Sequence, residues 1–141
     1  DLNGQDQAIK LFVDGAADLH SKTAGIGGVI YSNNKELSNF SEPLFDKTNN
    51  EAEYLSLIKG IEQLIDLKVA SVNIYADSEL VVKQVLGVYK VKNERMKILH
   101  NLVLEKLKFI DQWNLVHIRR EKNIRADELS KLGMNKAKSE K

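Results

Sequence analysis

The hydrophobic period changes part-way along the chain, and that change constrains the fold more than any other feature. Ile9, Leu11 and Val13 alternate with Lys10, Phe12 and Asp14 in a strand-like segment at roughly 8–17, and two more strand-like segments follow, "GIGGVIYS" at 25–32 and "ELSNFSEPLF" at 36–45. The links are short, and Asn33 and Asn34 mark a tight turn in the second, so the three strands form an antiparallel meander. "NNEAEYLSLIKGIEQLIDL" then sets Tyr54, Ile58, Ile61 and Ile65 at helical spacing, with Leu57 and Leu64 widening the stripe. "SVNIYAD" at 71–77 reads as a short strand, "SELVVKQVLG" as a helix closed by Gly87, 93–110 as a longer helix, "WNLVHIR" as a strand, and a last helix starts near 124. The order is βββαβααβα. A strand, a crossover helix and a further strand imply parallel pairing, so the sheet is mixed and covered by helices, an α/β architecture.

Composition removes several classes of function. The 141 residues, 43% of them hydrophobic, suit one compact domain, and the absence of cysteine excludes disulfides and thiolate metal sites. No apolar run approaches the ~20 residues that cross a bilayer, so a cytoplasmic protein is expected, with no membrane partner. The polar opening, residues 1–8, suits a linker or a cut end, which leaves room for a domain of a longer chain. The 21 basic and 20 acidic residues nearly balance, but "VYKVKNERMK" and the lysine-rich 135–141 are basic runs of the kind that face a polyanion. For the tail, a solvated and frayed terminus is the simpler expectation.

Against this plan four acids stand out: Asp14 within the first strand, Glu53 in the first turn of the first helix, Asp77 at the end of the fourth strand and Asp127 early in the last helix. Each has a local explanation. Asp14 precedes Gly15 and suits a turn; Glu53 lies three residues after Asn50, as in a capping box; Asp77 suits a helix cap; and Asp127 complements a helix dipole. Together they fit a site. Parallel pairing of strands one and four would set Asp14 beside Asp77, and two helix starts would bring the others to the same edge. Clustered carboxylates repel unless protonated or bridged by cations, and oxygen ligands without cysteine suit Mg²⁺ or Mn²⁺.

The blocks "FVDGAAD", "TNNEAEYLSL", "YADSELVVKQV" and "REKNIRADELSKLG", in that order, resemble the ribonuclease H type 1 family, in its short, archaeal-like branch. The resemblance spans residues 9–134 and implies the ribonuclease H-like fold, a five-stranded sheet of order 3-2-1-4-5. It also implies a site of two Mg²⁺ ions, with Mn²⁺ as substitute, held by Asp14, Glu53, Asp77 and Asp127. The implied reaction is cleavage within the RNA strand of an RNA–DNA hybrid, leaving 5′-phosphate and 3′-hydroxyl ends. In-line displacement at a phosphodiester needs an activated water, a stabilised leaving oxygen and charge cancellation, which two ions about 3.5–4 Å apart supply.

Thr48, Asn49 and Asn50, beside a helix start, suit phosphate and minor-groove contacts; Gly15, Arg119 and Arg120 are further substrate candidates, and Asn123 serves either as a substrate contact or as a cap. The chain departs from the family in three places. A loop "ADLHSKTAGIGG", with His20 and Lys22, replaces a glycine-rich turn. The basic protrusion shrinks to a segment with Tyr89, Lys90 and Lys92. The family histidine lacks a clear counterpart, since His117 shares a strand face with Trp113 and Leu115 and is expected to be packed. Glu79 reads as surface charge. The alternatives are a binding module of the same fold without turnover and a resolvase-like nuclease.

Overall fold

The computed structural model describes residues 9–141; the polar opening at 1–8 lies outside the described residues. β1 (Ile9–Asp18), β2 (Thr23–Ser32) and β3 (Lys35–Phe45) form the meander, and α1 (Asn49–Asp66) follows. β4 (Ser71–Ala76), α2 (Glu79–Val85), α3 (Glu94–Leu107), β5 (Gln112–His117), a 3₁₀ turn at Arg120–Lys122 and α4 (Ile124–Ser139) complete the chain. The sheet order is β3-β2-β1-β4-β5, with β1–β2 and β2–β3 antiparallel and β1–β4 and β4–β5 parallel, as expected. Asn33 and Asn34 both take positive φ, 53° and 68°, which is the two-residue hairpin turn that matches strand twist. Pro43 sits in β3, an edge strand, where a missing N–H costs no ladder bond to a further neighbour.

The odd residues of β1, Ile9, Leu11 and Val13, are buried with Ile74 and Val72 in one core with Tyr54, Leu57, Ile58, Ile61 and Leu64 of α1. Helix α3 lies beyond, burying Met96, Val103 and Leu107. The opposite face meets α4 over β1, β2 and β3. There the approach is close enough that a Cβ on Gly27 would collide with the backbone of Leu129 and Ser130.

Two expectations change. The loop after β1 is only Leu19–Lys22, because β2 begins at Thr23, and Lys22 turns the corner with a φ of 57°. The frayed lysine-rich terminus is instead helix: α4 runs to Ser139, Ala137 is buried, Lys138 pairs with Asp18 at 3.1 Å and the Lys141 amine donates to the Ser21 carbonyl at 2.6 Å. The buried stripe of α4 is Ala126, Leu129, Ser130, Gly133 and Ala137, and such small residues give a weak hydrophobic signal.

Candidate active site

The parallel ladder between β1 and β4 ends at the pair Val13–Ala76. Asp14 and Asp77 are therefore the next residue on each strand, at the point where β4 stops and β1 continues alongside β2. Ligands of open α/β sheets gather at such carboxyl ends. Glu53 reaches the same point from the first turn of α1, where its Oε1 accepts the Gly15 N–H at 2.8 Å. A Cβ on Gly15 would overlap the Ala52 backbone, so only glycine lets α1 approach β1 this closely.

Oxygens of Asp14, Glu53 and Asp77 all lie within 4.8 Å of one another. Asp14 and Glu53 are buried and Asp77 is half-buried. Burial, then repulsion from Asp77, pushes the Asp14 carboxyl up to about 7, although the Ser130 hydroxyl donates to its Oδ2 at 2.8 Å. Burial, then repulsion from Asp14 and Asp77, raises Glu53 to about 9. Asp127 stands at the rim: it adds to the repulsion on Asp14, while its own Oδ2 pairs with Lys131 at 3.1 Å. Among the described residues, every hydrogen-bond donor to the three clustered carboxylates is neutral: the Gly15 amide, the Ser130 hydroxyl and the Asn123 side-chain amide. With no cationic donor at the cluster, either protons or bound cations must offset the charge, and an all-oxygen donor set fits a hard divalent cation.

The four local explanations fare differently. Asp14 makes no turn, since β1 runs through it to Asp18. The capping box is Thr48 with Glu51, not Asn50 with Glu53: the Glu51 N–H donates to Thr48 Oγ1 at 3.1 Å and the Thr48 N–H to Glu51 Oε1 at 2.9 Å. Ser78, not Asp77, caps α2. Asp127 does lie in the first turn of α4.

The remaining candidates are also sorted by the geometry. Asn49 and Asn50 open α1, with Thr48 and Asn49 exposed and Asn50 half-buried. The Gly15 amide, expected to face substrate, is engaged by Glu53 instead. Asn123, expected as a cap or a substrate contact, is 1% exposed, makes no side-chain cap and bonds Asp77 and the β1 backbone. His117 is exposed rather than packed, because it is the last residue of edge strand β5, beside Ala76 and beyond the covered part of the core. Arg119 and Arg120 are exposed around the 3₁₀ turn, as are Tyr89, Lys90 and Lys92 before α3. Glu79 is exposed and pairs with Lys83 at 2.8 Å. Ser130 and Arg95 escaped notice in the sequence; Arg95 grips Glu51 with Nε and Nη2 at 2.9 and 3.0 Å, tying the start of α3 to the start of α1.

Sheet order and acid placement together define the ribonuclease H-like class. The Reverse transcriptase-like family model matches residues 12–133, and the chain belongs to that family. It is similar to the ribonuclease HI of Halobacterium salinarum, 28% identical over 92% of this chain, and to the bifunctional protein Rv2228c of Mycobacterium tuberculosis, 29% identical over 88%. The chain spans 65% of the first relative's length and 35% of the second's. The crystal structure of the Halobacterium RNase H1 superposes with a TM-score of 0.87, covering 92% of this chain and 98% of that one. LC11-RNase H1, solved in complex with an RNA/DNA hybrid, gives 0.85 at 37% identity, over 92% of this chain and 98% of that one.

Proposed function

We propose that this chain is a ribonuclease H, hydrolysing the RNA strand of RNA–DNA hybrids internally to leave 5′-phosphate and 3′-hydroxyl ends. The observation that carries this reading is the cluster of Asp14, Glu53 and Asp77 at the end of the β1–β4 ladder, bonded by neutral donors alone. The hybrid as partner is supported by the likeness to LC11-RNase H1, which was solved with one bound. The proposed catalytic domain is 9–134, with 135–141 as its lysine-rich tail, working in the cytoplasm and open to fusion within a longer chain.

Asp14, Glu53 and Asp77, with Asp127 at the rim, would hold two Mg²⁺ ions, with Mn²⁺ as substitute; when bound, these supply charge cancellation at the scissile phosphate and an activated water. The chain's own residues do the rest. The Gly15 amide and Ser130 hydroxyl fix Glu53 and Asp14, so the anionic site is preformed. Thr48, Asn49 and Asn50 present a hydroxyl, two amides and the positive end of α1 to phosphate and to the 2′-hydroxyl side of the duplex. Arg119 and Arg120, exposed around the 3₁₀ turn, would meet the phosphate backbone electrostatically.

The test is to incubate labelled RNA–DNA hybrid, double-stranded RNA and double-stranded DNA with the protein, in Mg²⁺, in Mn²⁺ and in chelator. Metal-dependent loss of the hybrid's RNA strand alone supports the reading. Cleavage that survives chelation, or cleavage of DNA, contradicts it.

A further inference from the structure

We infer that Asn123 is a positioning residue that locks Asp77 to the end of β1 and indexes Asp127 to the same point. The inference rests on the metal-dependent site proposed above. The Asn123 side-chain Nδ2 donates to the Val13 carbonyl at 2.9 Å and to Asp77 Oδ2 at 3.0 Å. Both partners only accept, so the orientation of the amide is settled by its neighbours. Val13 is the β1 residue at which the parallel ladder with β4 ends, and Asp77 is the first residue of the other chain segment past that end. One amide group therefore spans the gap where the strands part, in place of the next ladder bond.

The backbone of the same residue starts α4. The Asn123 carbonyl accepts the Asp127 N–H at 3.0 Å, the first helical bond, so Asp127 sits one turn beyond a residue anchored on both β1 and Asp77. An asparagine in this position ordinarily caps its helix. Here α4 has no side-chain cap, the residue takes φ −120° and ψ 35°, and its Oδ1 is buried with no hydrogen-bond partner among the described residues. Leaving the cap unmade and an acceptor unsatisfied lowers stability, and such local departures concentrate at functional sites. What the arrangement gains is a fixed rotation of the Asp77 carboxylate and a fixed distance to Asp127.

Asn123→Ala removes the donor, and Asn123→Leu removes it while keeping most of the volume. Two readouts separate positioning from other roles: the rise in Tm on adding Mn²⁺ or Mg²⁺ without nucleic acid, and kcat against KM for hybrid cleavage. A partner of metal ligands typically contributes ~10–100-fold in metal affinity or activity, so both variants should need ~10-fold more metal for the same rise in Tm, with kcat down by a similar factor. KM for hybrid should stay within ~2-fold. A raised KM with kcat intact would make Asn123 a substrate contact, and a lowered Tm with metal response and kcat intact would make it a plain structural anchor. Loss of the fold in both variants gives that second answer too. If the unaltered protein does not cleave hybrid, the proposed function fails, while the metal-induced Tm rise still judges Asn123.

Discussion

Replacing Asp14 by asparagine should stabilise the metal-free protein around pH 8 while removing its activity. Asp14 is 4% exposed, and its carboxyl is pushed from 3.8 to about 7 by burial and by Asp77. Ionising it in the folded protein around pH 8 therefore costs up to ~4 kcal/mol relative to the unfolded chain, at ~1.4 kcal/mol per decade. Relaxation and water entering a site of high effective dielectric roughly halve that, leaving ~2 kcal/mol. Asparagine keeps the shape and an oxygen for the Ser130 hydroxyl, now 2.8 Å from Asp14 Oδ2, but carries no charge. The expected gain for a domain of this size is ~5–10 °C in Tm in chelator. Mg²⁺ should then stabilise the variant far less than the unaltered protein, and hybrid cleavage should fall at least ~10³-fold. Thermal unfolding with and without metal measures all but the last. A variant less stable than its parent in chelator would refute the claim that repulsion is stored at this site.

The same groups set a pH dependence. Asp14 and Glu53 have folded pKa values of about 7 and about 9, above their ordinary 3.8 and 4.5, so their contribution is fully present only below those ordinary values and is lost as pH rises from there through the folded ones. The contribution of these two acids to Tm in chelator should fall from about pH 4 to about pH 9, and metal should flatten the fall; a flat profile in chelator would count against the burial of these acids. Thr48→Ala removes the Oγ1 that caps α1, which should cost ~1 kcal/mol of stability by denaturant unfolding and raise KM for hybrid. Gly27→Ala pushes a methyl into the backbone of Leu129 and Ser130 and should displace α4, lowering stability by ~2 kcal/mol or more in denaturant titrations. His117 is exposed, so His117→Ala should leave Tm unchanged and reduce single-turnover rates by less than ~10-fold; a loss beyond ~10²-fold with a lost pH limb would make it a proton carrier.

The sheet was legible because its signals are local. Alternation marks β1, two asparagines mark the β2–β3 hairpin, and Tyr54, Leu57, Ile61 and Leu64 repeat at the spacing that buries one side of α1. The acids were legible because charge stands out in a strand or against an apolar stripe. What stayed hidden depends on where elements end and how closely they approach. Strand period told which way His117 faces but not that the cover of the core stops before it. Small residues hid the docking of α4: Gly27, Ser130, Gly133 and Ala137 look neutral in sequence, yet they let helix and sheet backbones meet. Asn123 looked like a cap because asparagine before a helix usually is one, and only the three-dimensional gap between β1 and β4 shows where its amide goes.

Side-by-side cleavage of one labelled RNA–DNA hybrid by the unaltered protein and by Asp77→Asn, across a Mg²⁺ titration, tests the central claim most directly. Asp77 shares the cluster within 4.8 Å of Asp14 and Glu53, so the variant should fold, bind hybrid and lose at least ~10³-fold in turnover at every metal concentration. A folded Asp77→Asn protein that cleaves hybrid at the parent's rate would contradict the account.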